Sequence, residues 1–258
     1  MAPRVNVLGV GISALNLDQA IDQIEAWIAN DDRKYVNLCT VHTVMECQHD
    51  GRLRALVNAS GLSTPDGMPL VWLSRLHGHR EAGRVYGPDL MLALCDRGRA
   101  KGLRHFFYGG APGVTDRLVG NLRSRYPGVV VAGTHTPPFR PTGAREDPDV
   151  IDALNQATPH IVWVGLGTPK QDYWVANHRA VLGAPVLIAV GAAFDFHAGV
   201  LRQAPRWMQR NGLEWLFRLL QEPRRLAFRY LVYNPLFLFR IVIQLLGLRT
   251  YPIEAPTR

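Results

Sequence analysis

Two residues, Asp66 and Arg84, are of types that could act chemically on a polar substrate. Asp66 lies in the turn-forming segment 64–67, directly before an apolar stretch at 70–76 that predicts a short helix. A carboxylate on such a loop could act as a general base and take a proton from a substrate hydroxyl. The same residue types also build ordinary turns and helix caps, so the local pattern leaves both interpretations open.

Arg84 stands shortly before the predicted start of another helix, at Pro88. A guanidinium group in this place could bind a neighbouring acid or a phosphate, because its planar set of donors fits both. The residues around Arg84 do not decide between an ion pair and a phosphate site.

The sequence does not predict a metal site. The histidines have no metal-ligand spacing, and the three cysteines form no CxxC pair. Asp147 and Asp149 resemble a metal-binding DxD motif, but they flank a proline at a predicted helix start, where acids favour the helix dipole.

Glycines directly follow three apolar segments that are predicted to be strands. Gly109 and Gly110 follow the first of these, Gly165 the second and Gly191 the third. Ligands of open α/β sheets bind at the carboxyl ends of the strands, where glycine lets backbone N–H groups approach a phosphate. A tight strand-to-helix turn also needs glycine, but three such turns favour a ligand that carries phosphate.

Among ligands that carry phosphate, a dinucleotide fits this sequence poorly. The residues from Gly9 to Ala14 satisfy G-x-G-x-x-A formally, but the fingerprint also needs an acid at the end of the next strand. That predicted strand ends at Thr40, without an acid. The sequence therefore argues against a nicotinamide-dependent oxidoreductase.

The elements that must position these residues alternate along the first 200 positions. Short apolar segments such as 5–10 and 35–39 alternate with stretches of helical periodicity such as 45–57. Apolar strands separated by helices predict an α/β fold of Rossmann-like type, with a mostly parallel sheet and helices on both faces. We expect a catalytic α/β domain at 1–200 and a basic helical appendage at 201–258.

The appendage is distinguished by its charge. Residues 201–258 contain ten arginines, no lysine and three acids, a net +7 of the chain's +8. Aromatic residues lie between the arginines, and an apolar run extends over 231–248. A basic, aromatic-rich amphipathic segment is typical of proteins that lie on anionic lipid. A solvated helix face or a nucleic-acid-binding tail would leave the apolar run exposed, so we expect no nucleic-acid partner.

The apolar run at 231–248 is predicted to be interfacial rather than transmembrane. It is only about 18 residues long and contains Pro235 and Arg240. It could instead pack against the rest of the protein or a second copy of the chain, so a homo-oligomer stays open. The first ten residues lack the features of a secretory signal, and the expected location is the cytoplasmic face of the inner membrane.

Several longer motifs resemble the WecG/TagA/CpsF glycosyltransferases, glycosyltransferase family 26, over residues 5–230. The motifs that carry this resemblance lie at 64–67, 84–89, 107–110, 165–174, 191–196, 204–207, 212–215 and 222–225. The resemblance implies inverting, metal-independent transfer from a UDP-sugar to a sugar on undecaprenyl diphosphate, without a cofactor.

The resemblance also implies roles for individual residues. Asp66 would be the base, Thr40 would lie beside the reaction centre, and Arg84 and Gln171 would contact the donor's diphosphate or sugar. Asp195 would contact the uridine. The remaining predicted substrate-binding residues are His42, Gly109, Gly110, Arg218, Arg225 and Arg229.

The appendage arginines suit a metal-free reaction. An inverting transfer needs one base, and the charge of the leaving diphosphate must be met by arginines and backbone N–H groups. On one straight helix, Arg218, Arg225 and Arg229 would form a narrow stripe, although Pro223 interrupts the register. The resemblance implies that the appendage closes over the active site at the membrane and brings these arginines to the departing UDP.

Two positions leave the donor open. This chain has His42 where many family members have Asn, and a proline pair at 137–138 where many have Gly-Tyr. N-acetylmannosamine, its uronate and glucose all stay candidates, and His42 could instead be a core histidine. The alternative to an enzyme is a non-catalytic module that binds a membrane surface or a nucleotide.

Overall fold

The computed structural model of the chain describes residues 2–144 and 146–253. Its eight strands are β1 (Arg4–Val7), β2 (Val10–Ser13), β3 (Lys34–Cys39), β4 (Leu62–Pro65), β5 (Arg104–Gly109), β6 (Val130–His135), β7 (Ile161–Gly165) and β8 (Val186–Ala189).

The helices in the same residues are α1 (Leu17–Ala29), α2 (Val41–His49), α3 (Gly51–Ala59), α4 (Met68–Leu76), α5 (Gly87–Arg97), α6 (Val114–Arg125), α7 (Pro148–Gln156), α8 (Lys170–His178), α9 (Ala193–His197), α10 (Arg206–Arg210), α11 (Glu214–Gln221) and α12 (Pro223–Leu245). A short 3-10 turn, Gly98–Lys101, extends α5 to Gly102.

The chain forms two compact units. The first contains Met1–Asn16, Cys39–Arg84 and Gln203–Arg258, and the second contains Leu17–Leu38 and Val85–Arg202. The predicted division at residue 200 into a catalytic domain and an appendage concerns function and stays a prediction. Residues 254–258 of the predicted appendage lie outside the described residues.

The second unit contains a parallel sheet with the strand order β3-β8-β7-β5-β6. Alternate residues of β5 face opposite layers. Tyr108 stacks on Trp174 of α8 at 4.2 Å between ring centroids, whereas Phe107 contacts Phe194 of α9 at 6.0 Å. Helices therefore cover both faces, and the predicted Rossmann-like α/β class is confirmed.

The first unit begins with a hairpin where one strand, 5–10, was predicted. Strands β1 and β2 pair antiparallel around Leu8 and Gly9, whose φ angles are 51° and 81°. Positive φ at both central residues gives the two-residue turn that matches the twist of paired strands. The formal dinucleotide motif thus lies in a hairpin, without the strand-to-helix turn that would hold a pyrophosphate.

The predicted helix at 45–57 is also wrong, because Asp50 divides it into α2 and α3. The backbone of Asp50 is extended, with φ −129°. Its carboxylate accepts a hydrogen bond from the Leu53 N–H at 3.0 Å, and its own N–H donates to the Glu46 carbonyl at 2.9 Å. An acid that caps a new helix in this way ends the preceding one.

The C-terminal helix α12 is joined to the hairpin at its far end. The Gln244 side chain accepts from the Leu8 N–H at 2.8 Å and donates to the Asn6 carbonyl at 2.9 Å. The Asn6 amide also donates to the Tyr251 carbonyl at 2.6 Å. These bonds satisfy the polar groups of the hairpin turn and fix the end of α12.

Candidate functional site

Asp66 is positioned by β4, a strand that the sequence analysis had assigned to a turn. Its N–H donates to the Cys39 carbonyl at 2.9 Å, next to the start of α2. The following helix, α4, has Gly67 as its N-cap and no side-chain cap. The carboxylate of Asp66 therefore does not cap that helix, which removes one of the two ordinary explanations for this residue.

The side chain of Arg84 donates hydrogen bonds to both the backbone carbonyl and the carboxylate of Asp66. The Arg84 Nε donates to the Asp66 carbonyl, and Nη2 donates to Asp66 Oδ1 at 3.3 Å. The same Nη2 donates to Glu214 Oε2 at 2.5 Å. The structure thus brings the predicted base and the predicted diphosphate ligand together, with a third residue, Glu214, as their partner.

The electrostatic surroundings of Asp66 suit a base. Only 17% of its side chain is exposed. Burial, the main cause, raises its pKa from 3.8 to about 6, with Glu214 adding to the rise and the charges of Arg84 and Arg218 opposing it. A carboxylate with this pKa is charged at neutral pH but holds a proton better than an exposed aspartate does.

Thr40 is the N-cap of α2. Its Oγ1 accepts from the Thr43 N–H at 3.4 Å, and the Thr43 hydroxyl accepts from the Thr40 N–H at 3.2 Å. The bond between Asp66 and Cys39 puts Thr40 beside Asp66, and a Cβ on Gly67 would lie 3.8 Å from the Thr40 Cα. Thr40 therefore lies beside Asp66 and also caps α2, and its predicted place beside the reaction centre stays a prediction.

His42 is the second residue of the same helix, and its side chain contacts α12. Its ring stacks on Tyr233 at 5.7 Å, and Nδ1 is 3.6 Å from Glu46 Oε1, beyond hydrogen-bond distance. Burial, and secondarily the charge of Arg229, lowers the pKa of His42 to about 3. The imidazole is therefore neutral, and its buried Nδ1 has no hydrogen-bond partner within the described residues.

The three predicted appendage arginines do not lie on one straight helix. Arg218 belongs to α11, whereas Arg225 and Arg229 belong to α12, which begins at Pro223. Glu222, at the break, accepts from Arg218 at 3.3 Å and from Arg225 at 2.7 and 2.5 Å. Glu222 at the bend thus joins Arg218 to Arg225, whereas Arg225 and Arg229 are related by one turn of α12.

Arg229 is the most enclosed of the three. Burial is the main cause that lowers its pKa to about 10, so the group stays charged at neutral pH. Its Nε has no hydrogen-bond partner among the residues that the structure describes. A buried guanidinium with an unused donor suits an anionic ligand.

In the second unit, the glycine turns lie at the carboxyl ends of β5, β7 and β8, as predicted. The Gly110 N–H donates to the Gly165 carbonyl at 3.0 Å, so two of these turns touch. Gly109 has a φ of 122°, and a Cβ there would lie 2.5 Å from the Gly165 oxygen. Only glycine fits this crossing of two backbones.

Gln171 and Asp195 follow two of these turns. Gln171 is buried, 4% exposed, and its Oε1 accepts from the Gly167 N–H at 3.1 Å. Asp195 is partly buried in α9, and its carbonyl accepts from the Val200 and Leu201 N–H groups. The contacts of Gln171 shape the turn after β7, which gives this residue a task besides the predicted one.

Glu214 was quoted within a sequence motif but given no role. One signal could have singled it out: it is one of three acids among the ten arginines of 201–258. Within the described part of the appendage, Glu214 and Glu222 both pair with arginines.

The outward side of α12 is apolar. The exposed large residues recur at separations of three, four and seven and form one stripe, which comprises Phe228, Leu231, Val232, Leu238, Phe239, Val242 and Leu245. The opposite side buries Leu226, Phe237 and Ile241. By length and composition alone, this 23-residue helix could cross a membrane, and it is the single such helix among the residues described.

Comparison with known proteins finds a matching family and similar named proteins. It matches the Glycosyl transferase WecG/TagA/CpsF family over residues 5–251. A similar protein of Bacillus spizizenii, 31% identical over 180 residues, is named N-acetylglucosaminyldiphosphoundecaprenol N-acetyl-beta-D-mannosaminyltransferase. One of Bacillus subtilis with the same name is 32% identical over 170 residues. The matches cover 70% and 66% of this chain, and 68% and 64% of those relatives.

Proposed function

Because this chain belongs to the WecG/TagA/CpsF glycosyl transferase family, we propose that it transfers a sugar from a UDP-sugar to a sugar carried by undecaprenyl diphosphate. The two named relatives transfer N-acetylmannosaminyl to N-acetylglucosaminyldiphosphoundecaprenol. Their names make UDP-N-acetylmannosamine the first donor to test, before its uronate and UDP-glucose. The product would enter the synthesis of a bacterial cell-surface polysaccharide.

The contact between Asp66 and Arg84 is the observation that carries this proposal. A base of raised pKa and a guanidinium that can meet phosphate charge are the two groups that an inverting, metal-independent transfer requires. They are held together by three short segments of one compact unit. An ordinary turn acid would not need partial burial beside two further charged side chains.

In the proposed reaction, the acceptor hydroxyl attacks the anomeric carbon of the donor from the face opposite the diphosphate. Its proton passes to the Asp66 carboxylate as the new glycosidic C–O bond forms. The bond from the anomeric carbon to the diphosphate oxygen breaks, and its electron pair leaves with UDP. Attack from the opposite face inverts the anomeric configuration, and Thr40 lies beside the base.

The charge of the leaving diphosphate would be met by guanidinium groups. Arg84 is one, and the cluster of Arg218, Arg225 and Arg229 supplies the others. Arg218, which is 15% exposed, should interact with phosphate more strongly than Arg225, which is 58% exposed, because less water screens its charge. Two of the cluster are tied to Glu222, so their use by UDP would exchange one anionic partner for another.

Donor binding is assigned to the glycine turns of the second unit. The turn at Gly109 and Gly110 is suited to a close approach of phosphate, although the Gly110 N–H itself is bonded to the Gly165 carbonyl, and Asp195 is suited to the hydroxyl or imide donors of uridine. Gln171 fixes the neighbouring turn through Gly167. His42, neutral and with an unused Nδ1, is assigned to a hydroxyl or amide of a sugar rather than to a carboxylate, which favours N-acetylmannosamine over its uronate.

The apolar stripe of α12 and the surrounding arginines support a peripheral position on anionic lipid at the cytoplasmic face of the inner membrane. Phe239 and Leu238 are 63% and 61% exposed. A helix with one apolar side open and the other packed on its own protein is suited to lie in the headgroup boundary. Residues 201–258 would thereby bring the catalytic residues to a lipid-linked acceptor.

The test is UDP release by the purified full-length protein, given each of the three UDP-sugars with lipid-linked N-acetylglucosamine diphosphate in vesicles. We expect release with UDP-N-acetylmannosamine, only when the acceptor is present, and its loss in Asp66→Asn. Anomeric analysis of the product should show inversion, and a chelator such as EDTA should leave the rate unchanged.

Each alternative gives a different result. Release with glucose or the uronate would keep the reaction and change the donor. Activity that survives Asp66→Asn would remove the proposed base. If no donor gives UDP release, although the protein is folded and still binds the vesicles, the result would support a non-catalytic binding module.

A further inference from the structure

One nitrogen of Arg84 serves two carboxylates unequally. Its Nη2 lies 2.5 Å from Glu214 Oε2 and 3.3 Å from Asp66 Oδ1. Hydrogen bonds between charged groups strengthen as they shorten within the normal range. Glu214 therefore takes the larger share of this donor, and Asp66 keeps the weaker bond.

The fold holds Glu214 in place for this contact. Glu214 begins α11 and is 15% exposed. Two residues earlier, Gly212 lies against Trp72 of α4, and a Cβ at Gly212 would lie 2.8 Å from the indole ring. Helix α4 starts directly after Gly67, so the segment that presents Glu214 packs on the helix that follows Asp66.

We propose that Glu214 is a positioning residue that competes with Asp66 for Arg84 and thereby keeps Asp66 free to accept the substrate's proton. This inference rests on the proposed function, in which Asp66 is the base. It gives a specific task to a residue to which neither the sequence motifs nor the names of the relatives assign one.

The reason lies in what Arg84 would do without its competitor. A guanidinium beside a single carboxylate tends to form two parallel hydrogen bonds with it. Such a pair stabilises the charged carboxylate and makes it a poorer proton acceptor. With Glu214 present, Arg84 directs Nε to the Asp66 carbonyl and most of Nη2 to Glu214.

The charged groups that face Asp66 agree with this direction. Burial raises the pKa of Asp66 first; Glu214 adds to the rise, and Arg84 and Arg218 lower it. Arg218 lies one helical turn after Glu214 and is itself paired with Glu222 at 3.3 Å. Glu214 is the one anion among the described residues whose charge acts on Asp66, so removal of that charge leaves the two cations, Arg84 and Arg218.

The variant that tests this is Glu214→Gln, with Glu214→Asp beside it. The glutamine keeps the shape but loses the charge, and the aspartate keeps the charge at shorter reach. We expect Glu214→Gln to move the acidic limb of the pH–kcat profile down by about one pH unit and to lower the plateau about tenfold. Glu214→Asp should give a smaller change in the same direction.

Glu81→Gln is the matched control, because it removes one exposed carboxylate from the same unit. Its profile should follow the wild type. A plateau that falls in Glu214→Gln while the acidic limb stays in place would overturn the proposal, because that is the result of a merely structural role. A pH–kcat profile of Glu214→Gln that is identical to that of the wild type would overturn the proposal as well.

A second readout separates this inference from the proposed reaction. The ¹³C signal of the Asp66 carboxyl carbon, assigned by its loss in Asp66→Asn, reports the titration without any turnover. Its midpoint should fall in Glu214→Gln even if no sugar is transferred, in which case only the proposed function fails. A midpoint that does not move contradicts the role of Glu214, and if Glu214→Gln does not fold, the Glu214→Asp titration decides in the same way.

Discussion

The N–H of Asp66 donates to the carbonyl of Cys39 at 2.9 Å, and this single backbone bond joins the candidate base to the start of helix α2. Thr40 follows Cys39 directly and His42 two residues after that, so one contact brings the sequence motif at 64–67 close to two residues that precede it by more than twenty positions. The site is built by strand ends, where side chains can be close while the segments that carry them stay regular.

Asp66→Asn should abolish transfer and make the protein more stable. Loss of a general base lowers kcat by about 10²–10⁴-fold, whereas donor binding should change little. The folded-state pKa of Asp66, about 6, lies above its ordinary 3.8. The folded protein therefore binds the extra proton more tightly, and its stability falls as the pH rises from about 4 to about 6.

Asparagine carries no titratable proton, so Asp66→Asn does not lose stability as the pH rises from about 4 to about 6. We expect the free energy of unfolding at about pH 7.5 to rise by about 1–3 kcal/mol in Asp66→Asn, and the gain to vanish near pH 4. Urea titrations at both pH values measure it. A variant that is less stable than the wild type at neutral pH would show that the carboxylate is a structural element.

Arg84→Lys should lose activity although it keeps the charge. The guanidinium of Arg84 has a planar set of donors that binds the Asp66 carbonyl and the carboxylates of Asp66 and Glu214. The single ammonium nitrogen of lysine cannot reproduce this geometry. We expect kcat/KM for the UDP-sugar to fall about 10–100-fold, since about 1.4 kcal/mol of transition-state stabilisation corresponds to each factor of ten. Steady-state kinetics measure the effect, with the exposed Arg80→Lys as control; equal activity in the two variants would contradict a geometric role.

The contribution of His42 to stability should change with pH in the direction opposite to that of Asp66. Its folded-state pKa of about 3 lies below the ordinary 6.5, so the unfolded chain binds this proton more readily. Its contribution to stability is complete above about pH 6.5 and is lost as the pH falls towards 3. We therefore expect the difference in unfolding free energy between the wild type and His42→Asn to shift against the wild type on acidification.

The control for His42→Asn is His49→Asn, which removes the other ring stacked on Tyr233, at 5.9 Å. Denaturant titrations from about pH 7 to about pH 4.5 give both difference curves. If the two curves run parallel, the pH dependence does not come from His42.

Phe237 and Phe239 of α12 should behave differently although they are two residues apart. Phe239 is 63% exposed, whereas Phe237 is 2% exposed. Phe239→Ser should weaken binding to vesicles with anionic lipid several-fold and leave the unfolding free energy nearly unchanged. Phe237→Ser should destabilise the protein by about 3–5 kcal/mol, as deletion of a buried ring does.

Vesicle sedimentation and denaturant titration of the two serine variants separate the roles. Val181→Ser, on the exposed surface of the second unit, is the control for the loss of an exposed apolar side chain. If Phe239→Ser binds vesicles as well as the control does but changes the oligomeric state, the stripe packs against a second copy and not against lipid.

The sequence predicted the α/β class and the glycine turns because both depend on local patterns. Apolar strands, helical periodicity and glycine after three of the strands are visible within a few residues, and the sheet of the second unit follows them. The hairpin at 4–13 and the break at Asp50 were missed because each depends on one or two residues: the backbone angles of Leu8 and Gly9 make the turn, and the cap of Asp50 starts a new helix. Strand β4 was missed because the turn-forming residues of 64–67 concealed it.

The site was predicted in part. Asp66 and Arg84 were singled out, and the structure brings them within hydrogen-bond distance. The interaction with Glu214 could not be read from the sequence, because 130 positions separate it from Arg84. The stripe of Arg218, Arg225 and Arg229 was expected from helical spacing, which fails once Glu222 and Pro223 begin a new helix.

The bonds between Gln244 and the β1–β2 turn have a consequence for the order in which the chain acquires its structure. The N–H of Leu8 receives its partner only when a residue 236 positions later has been synthesised. Contacts of such separation form late and slow the folding of a domain. During translation, the hairpin must wait while the intervening segments leave the ribosome, and a chaperone that shields its apolar residues in that interval would raise the yield of native protein.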